Sequence, residues 1–210
     1  MRREFCKESG EYTPLNWLQS TNLAQQPAST VQYIDTGVKL SDNYIRVCCK
    51  LMFVDGVGGV VVGGRDNNGG FQLQSHNYYR MLRLYNGTDT FDTPSNIISK
   101  NTDYEIEAVC DGASQSITYN GITVSTNKSS LLPLTCANNI GMFASIRTGT
   151  IIGDNKIKIY WLQIYGRDGN KVRDFLPMLR TNDGKPGMMD LVENVFYTLS
   201  NPNASEFLYG

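Results

Sequence analysis

The sequence predicts an all-β protein in which two antiparallel sheets pack face to face as a sandwich. Apolar and polar residues alternate with a period of two along several segments, whereas helical periodicity is almost absent. Twenty glycines and twelve tyrosines, with many Asn, Thr and Ser residues, fit short strands joined by tight turns. Roughly ten to thirteen strands at this spacing are expected to close around one core.

The longest predicted strand spans residues 43–55, written NYIRVCCKLMFVD. Successive side chains of a strand point to opposite faces of its sheet, so this strand has one buried and one exposed face. The face expected to be buried carries Ile45, Val47, Cys49, Leu51 and Phe53. The opposite face carries Tyr44, Arg46, Cys48 and Lys50.

The middle of the chain contains further strands. Residues 70–87 predict two strands around a turn at Ser75–Asn77. Residues 116–126 predict a hairpin, because Asn120-Gly121 supplies the positive φ angles of a type I′ turn. Residues 103–112 predict a half-buried strand whose inward side chains are Tyr104, Ile106, Ala108 and Cys110.

The C-terminal third begins with a strand pair at residues 156–175, which turns at Asp168-Gly169. Its first strand contains YWLQIY (160–165), which is apolar on both sides and therefore predicts a central strand covered on both faces.

Four stretches in a fixed order carry a resemblance to a known family: VQYIDTGVKLSDNYIRV (31–47), VVVGGRD (60–66), KIYWLQIYGRDGNKVRDFLPMLRTNDGKPGMMDLVENVFYT (158–198) and SEFLYG (205–210). Together they resemble the laminin-G-like, concanavalin A-like jelly-roll domains of phage and prophage tail and fibre proteins of gut bacteria. The resemblance implies a jelly-roll domain at residues 13–210, preceded by a polar leader at residues 1–12. In it, PLNWLQST (14–21) takes the place of the preceding edge strand.

The segment after Phe175 is expected to form a strap that covers a sheet left open by the preceding strands. Pro177 suits a place where no ladder N–H is required. Asp183-Gly184 and Pro186-Gly187 are expected to turn the chain back. A returning strand would then carry Leu191, Val192, Phe196 and Tyr197 over the sheet and protect its edge.

Composition excludes several classes of function. The chain has 19 basic and 20 acidic residues and a net charge of −1, so no overall field favours nucleic acid or an anionic membrane. No apolar stretch approaches the roughly 20 residues of a membrane span. The N-terminus lacks the apolar region of a secretory signal peptide. The resemblance therefore implies synthesis in a host cytoplasm and a place on a virion or outside the cell.

The five cysteines predict buried, reduced thiols rather than disulfides or a zinc site. They lie at positions 6, 48, 49, 110 and 136, with no C-x-x-C spacing, and His76 is the chain's single histidine. Cys48 and Cys49 are adjacent, so they should point to opposite faces of one strand.

An enzymatic function is not expected. Glycosidases of this fold place paired carboxylates on one strand face, and Glu105 and Glu107 are the nearest match. However, Val109 or Cys110 stands where the second catalytic carboxylate belongs, so the acid is missing. No G-x-S-x-G elbow accompanies His76 for a nucleophilic triad, and GGRDNNGG (63–70) lacks the lysine of a phosphate-binding loop.

No cofactor is expected. Calcium is a minor alternative at Asp66, Asn67 and Asn68, whose oxygens are suitable ligands, although a single carboxylate would bind the ion poorly.

Sugar recognition is the function that the resemblance and the loops together favour. Sugars need aromatic rings for their C–H faces and planar polar groups for their hydroxyls. Loop-like runs around residues 65–70, 75–79 and 145–150 supply such groups. The candidate binding residues on this rim are Arg65, Asp66, Asn67, His76, Tyr78, Tyr79 and Arg147.

Three functions therefore remain open. The first is a non-catalytic module that binds host-surface glycans as part of a phage or prophage tail, fibre or head decoration. The second is a structural virion or oligomerisation domain without a small ligand, and the third is a glycoside hydrolase. The expected partners are a host-surface glycan, other virion proteins and further copies of the chain, with a trimer expected by analogy with fibres.

Overall fold

A computed structural model describes residues 10–55, 58–76, 78–87, 89–112, 114–127, 134–154 and 156–210. Residues 1–9 of the expected leader lie outside these ranges. Within the described residues the chain forms nineteen β-strands and one three-residue 3₁₀ turn, Ala28–Thr30. None of the helical segments in this part of the chain is long or apolar enough to cross a membrane.

The strands are β1 (Tyr12–Pro14), β2 (Leu18–Gln19), β3 (Ile34–Lys39), β4 (Tyr44–Asp55), β5 (Gly59–Arg65), β6 (Gly70–His76), β7 (Met81–Asn86), β8 (Asp89–Asp92), β9 (Asp103–Asp111), β10 (Ser114–Tyr119), β11 (Ile122–Asn127), β12 (Asn139–Met142), β13 (Ser145–Arg147), β14 (Thr150–Ile152), β15 (Lys156–Tyr165), β16 (Lys171–Arg180), β17 (Lys185–Asp190), β18 (Val195–Thr198) and β19 (Leu208–Tyr209). The expected ten to thirteen strands were too few, because strands of two to four residues such as β1, β2 and β13 are too short to show alternation.

Two sheets contain all of these strands. The first sheet has the order β11-β10-β9-β4-β15-β16-β17-β18, with β1 beside β16 and the β2–β19 pair beside β15. The second has the order β14-β13-β5-β6-β7-β8, with β12 joining β5 to β3. All pairings are antiparallel except that of β13 with β5. The predicted all-β, antiparallel two-sheet sandwich is confirmed.

One apolar core lies between the sheets, and the alternation in the sequence identified its main strands. The inward side chains predicted for β4 and β9 are all buried. The central ones, Ile45, Val47, Leu51, Phe53 and Ile106, are at most 2% exposed and belong to one contiguous cluster.

The hairpin prediction is confirmed, and the turn predicted at Ser75–Asn77 is shifted. Asn120 and Gly121 connect β10 to β11 with φ angles of 46° and 83°, as a type I′ turn requires. Strand β6 continues to His76, which still pairs with Met81, and residues 78–80 form the described part of the turn, while Asn77 lies outside the described residues.

Strand β15 is central, as predicted, but only one of its faces is fully covered. It lies between β4 and β16, and Leu162 and Ile164 face the core. On the opposite face, Tyr165 lies 4.8 Å from the Arg46 guanidinium and Tyr160 lies 5.3 Å from the Lys50 ammonium. These tyrosines are half-buried, so flanking cations replace the second apolar layer that the sequence predicted.

The C-terminal strap extends the first sheet sideways, and this corrects part of the prediction. The turn predicted at Asp183-Gly184 is confirmed, since the chain turns at residues 181–184, but Pro186-Gly187 is not a turn and belongs to β17. Pro186 is tolerated because β18 starts pairing only at Gly187, so no ladder N–H is required before it. Leu191 and Val192 lie in the turn before β18 rather than in the returning strand.

Phe196 and Tyr197 do lie in the returning strand. Phe196 joins Tyr12, Met178 and Met189 in a small satellite cluster. Tyr197 packs edge-on against Phe175, with ring centroids 5.5 Å apart.

The described cysteines are all free thiols, and Cys6 lies outside the described residues. Cys49, Cys110 and Cys136 are buried, while Cys48 is half-buried on the opposite face from Cys49, as the alternation predicted. Burial and the nearby charge of Glu107 raise the pKa of Cys48 to about 11, so its thiol is protonated at neutral pH.

Candidate ligand-binding site

The turn between β5 and β6 places Arg65, Asp66 and Asn67 at one end of the second sheet. Asp66 holds the turn together, because its Oδ1 accepts the backbone N–H groups of Asn68 at 2.8 Å and Gly69 at 2.9 Å. Its Oδ2 accepts the N–H of Ala137 at 3.2 Å. Burial opposes ionisation of Asp66, but these three N–H donors outweigh it and lower the pKa of the carboxyl group.

Strand β13 brings Arg147 to the same place from 82 positions further along the chain. The parallel pairing of β13 with β5 sets Arg147 opposite Arg65, and Gly149, with a φ of 76°, turns the chain into β14. Thr148 and Thr150 follow on this short hairpin. Two segments that are remote in sequence therefore form one surface.

A pocket of about 490 Å³ lies between the β5–β6 turn and the β13–β14 hairpin. We call it the arginine pocket. Its lining residues are Arg65, Asp66, Asn67, Arg147, Thr148 and Thr150. The structure thus brings together four of the seven predicted rim residues.

Both arginines are anchored by neutral groups of the second sheet. The Arg65 guanidinium lies 4.2 Å from the centroid of the Tyr85 ring, and its Nη2 donates to the Gly87 carbonyl at 2.5 Å. Arg147 Nη2 donates to Gln72 Oε1 at 2.9 Å. Gln72 Nε2 donates to Gln74 Oε1 at 2.5 Å. A continuous polar layer therefore supports the pocket on the face of the sheet away from the core.

The two guanidinium groups share a partly desolvated environment. Burial lowers the pKa of Arg65, and the positive charge of Arg147 lowers it further. Burial is also the largest cause that lowers the pKa of Arg147. Among the described residues, no carboxylate lies within 4.0 Å of either guanidinium to form an ion pair.

The other three predicted residues lie at the far end of β6 and form what we call the aromatic patch: His76, Tyr78 and Tyr79. The His76 and Tyr79 rings are 5.0 Å apart, and the Tyr78 ring meets Tyr79 edge-on at 4.9 Å. Tyr78 is 82% exposed and Tyr79 is 47% exposed. Strand β6 separates this patch from the arginine pocket by about 20 Å, at 3.3 Å per residue.

Sequence reasoning missed several residues of the pocket and of its floor. Thr148 and Thr150 belong to the loop-like run at residues 145–150, from which only Arg147 was chosen as a candidate. Gln72, Gln74 and Tyr85 were missed because they look like ordinary strand residues. The alternation in GFQLQSH was the available signal, since Phe71 and Leu73 face the core and direct both glutamines to the other face.

A second groove of about 440 Å³ adjoins the arginine pocket and shares Arg147 and Thr150 with it. Tyr33, Ile146, Ile151 and Pro202 contribute to its lining. The β13–β14 hairpin therefore forms a ridge between two depressions.

Glu105 and Glu107 lie on the other sheet, and Glu107 is held in an ion pair. Glu107 accepts from Arg46 at 2.6 Å and lies 3.4 Å from the Cys48 thiol. Glu105 is exposed on the same strand, opposite Lys50. Glu107 is therefore engaged in an ion pair on the sheet opposite the arginine pocket.

The minor alternative of calcium at Asp66, Asn67 and Asn68 meets a carboxylate that is already engaged. Both oxygens of Asp66 accept backbone N–H groups within the turn and from Ala137. In the described part of the chain, no group of three or more His, Cys, Asp or Glu side chains gathers as a metal site.

Solved structures with the same architecture support the fold. The mouse laminin α1 chain, domains LG4-5, superposes with a TM-score of 0.52 at 9% identity, over 76% of this chain and 43% of that chain. The native heptameric SAP-like pentraxin of Limulus polyphemus gives 0.53 at 14% identity, over 71% and 76%. These likenesses confirm the laminin-G-like jelly roll. This chain spans less than half of the laminin chain. No protein-family model and no curated protein matches the chain by sequence.

Proposed function

We propose that residues 13–210 form a non-catalytic recognition module that binds a host-surface glycan in the arginine pocket. The observation that carries this proposal is the convergence of Arg65, Asp66, Asn67 and Arg147 on one open pocket. Their side chains offer planar donors and acceptors, and the Thr148 and Thr150 hydroxyls add more. This is the chemistry that recognises sugar hydroxyls in a shallow site.

We propose a non-catalytic module because the arginine pocket lacks the pair of carboxyl groups that hydrolysis requires. A retaining glycosidase needs two carboxyl groups about 5–5.5 Å apart, one of them protonated. The lining of the arginine pocket contains a single carboxylate, Asp66, whose pKa is lowered by its hydrogen bonds. Such a group binds and orients, but it has no partner for a proton relay.

The proposed setting is a phage or prophage virion, in a tail, a fibre or a head decoration. This part of the proposal is supported by the order of the sequence motifs over residues 31–210. Other virion proteins are then partners, and the chain is expected to act as a homo-oligomer, with a trimer as the working hypothesis.

The test is a glycan array probed with biotinylated chain displayed on streptavidin, so that weak binding is detected. Thr148→Trp should fill the arginine pocket and abolish binding, because Thr148 is exposed and lines the pocket. Thr102→Trp, at an exposed position of the loop before β9, is the matched control and should bind normally.

The double variant Tyr78→Ala, Tyr79→Ala tests the aromatic patch separately. If this double variant loses glycan binding and Thr148→Trp does not, the binding site is the aromatic patch at the far end of β6. If no glycan binds the multimer, the alternative of a structural virion or oligomerisation domain replaces the proposal. Release of shorter oligosaccharides, detected by mass spectrometry, would instead indicate a hydrolase.

A further inference from the structure

The arginine pocket holds two positive charges side by side, and neither forms an ion pair with a carboxylate among the described residues. Arg65 and Arg147 face each other across the β5–β13 pairing and line the same cavity. A carboxylate is the usual partner of a half-buried arginine, because it offsets the loss of water around the charge. Here the anchoring partners are a carbonyl, an amide oxygen and an aromatic ring, none of which carries a negative charge to neutralise the guanidinium groups.

Other arginines of this protein show the more common arrangement. Arg83, which is also next to Tyr85, forms a two-pronged pair with Asp92 at 2.6 and 2.8 Å. Arg46 pairs with Glu107, and Arg167 pairs with Asp111 at 2.7 Å. Arg65 and Arg147 therefore differ from Arg83 of the same sheet, and from Arg46 and Arg167 at the first sheet.

Much of the donor capacity of these two guanidinium groups remains unused. Each guanidinium has five N–H donors. Among the described residues, each donates one hydrogen bond, and the Nε atoms of both are buried without an acceptor. The one carboxylate in the lining, Asp66, is committed to backbone N–H groups. The lining thus carries two cations against one carboxylate.

We propose that the arginine pocket is specific for an acidic sugar residue, with its carboxylate or sulfate group placed between Arg65 and Arg147. This inference rests on the proposed function and adds the class of ligand. An anion at this point would relieve the repulsion between the two guanidinium groups. It would also accept charge-assisted, two-pronged hydrogen bonds, which are about twice as strong as neutral ones.

The shape of the site supports an acidic residue within a longer chain. The neighbouring groove shares Arg147 and Thr150 with the arginine pocket, so a saccharide with its acidic group over the arginines reaches Tyr33 and Pro202 by crossing the β13–β14 hairpin. That groove is lined largely by apolar and uncharged side chains, which suits a neutral sugar next to the acidic one.

The experiment compares matched saccharides that differ in one charged group. The carboxylate arm uses a hexasaccharide of alternating glucuronate and N-acetylglucosamine with its carboxyl-reduced form, and sialyllactose with lactose. The sulfate arm uses lactose with one sulfate ester. We expect at least one acidic member to bind ten-fold or more tightly than its neutral match, with affinity that falls as salt rises. The arm that shows the preference identifies the anion.

The variants are Arg65→Gln and Arg147→Gln, with Arg167→Gln as the control that removes the same charge from an exposed ion pair on the other sheet. Arg65→Gln and Arg147→Gln should each reduce the affinity for acidic saccharides to that for their neutral matches. The melting temperature of Arg147→Gln should not fall, because the substitution removes the repulsion between the two guanidinium groups. Arg147→Lys keeps the positive charge but lacks the planar guanidinium that donates two parallel hydrogen bonds. It should therefore restore part of the affinity for acidic saccharides that Arg147→Gln loses.

Two results would overturn the inference in distinguishable ways. Binding of neutral glycans that Thr148→Trp abolishes, with no effect of either Gln variant, would leave the proposed function standing and exclude the acidic specificity. No binding by any saccharide of the panel or of the glycan array would exclude both.

Discussion

At the scale of single residues, Gly70 fixes the shape of the turn that carries half of the arginine pocket. Its φ of 108° lies in a region that side chains rarely adopt. A Cβ atom at this position would lie 2.3 Å from the Gly64 carbonyl oxygen and 2.6 Å from Arg65 Cα. Both neighbours are backbone atoms, so neither can move aside without distorting β5.

Gly70→Ala should therefore lower the free energy of unfolding by about 2–4 kcal/mol and weaken glycan binding. Urea unfolding followed by fluorescence measures the first effect, and the array measures the second. Gly169→Ala is the matched control, because Gly169 also has a positive φ, 77°, but no atom within 4 Å of its missing Cβ. The control should lose only about 1 kcal/mol. Equal losses in both variants would show that contact with Gly64 is unimportant.

The sequence singled out four residues that line the arginine pocket as candidates, but it did not show that they lie together. Arg65 and Arg147 come together through the parallel pairing of β13, a three-residue strand whose partner no local pattern reveals. The tyrosines at 78 and 79 are close to Arg65 in the sequence, yet β6 carries them to the opposite end of the sheet. Residue chemistry is a local property, whereas co-location depends on topology.

At the scale of elements, predictability followed strand length. Strands β4 and β9 are long enough for alternation to identify their buried faces, and Asn120-Gly121 specifies the hairpin between β10 and β11 without any tertiary information. The turn predicted at Pro186-Gly187 was wrong, because this dipeptide favours turns in isolation, whereas here the pairing of β17 with β16 decides its conformation.

The strap formed by β16, β17 and β18 should be essential for folding. A fragment of residues 1–174 would lose Phe175, Met188 and Phe207 from the main core, and β2 would lose its partner β19. We expect this fragment to be insoluble, because it exposes an apolar face of the first sheet and the open edge of β2. Expression and solubility of the fragment provide the measurement.

A fragment of residues 1–207 serves as the control for the truncation. It lacks only β19, whose Leu208 and Tyr209 are both exposed, and it should remain soluble. A soluble fragment 1–174 with a cooperative melting transition would show that the strap is dispensable.

At the scale of the whole molecule, the second sheet separates two surfaces that differ in chemistry. The arginine pocket offers charge and hydrogen bonds, and the aromatic patch offers exposed rings about 20 Å away. One sugar residue cannot contact both. If both surfaces take part in attachment to a cell, they contact either separate molecules or distant parts of one long chain.

The openness of the site leads to the last prediction, which concerns the number of copies. A shallow polar pocket removes little apolar surface from water, so a single chain should bind a short oligosaccharide with a Kd near millimolar, about −4 kcal/mol. Linked copies gain about 10²–10⁴-fold in avidity without any new contact. We therefore expect isothermal titration of the isolated chain to give weak binding, and the streptavidin-displayed chain to bind a glycan-coated surface at least a hundred-fold more tightly. Thr148→Trp displayed in the same way should not bind, which separates true avidity from adhesion to the surface. A sub-micromolar Kd for the isolated chain, or no gain on display, would contradict the multivalent arrangement.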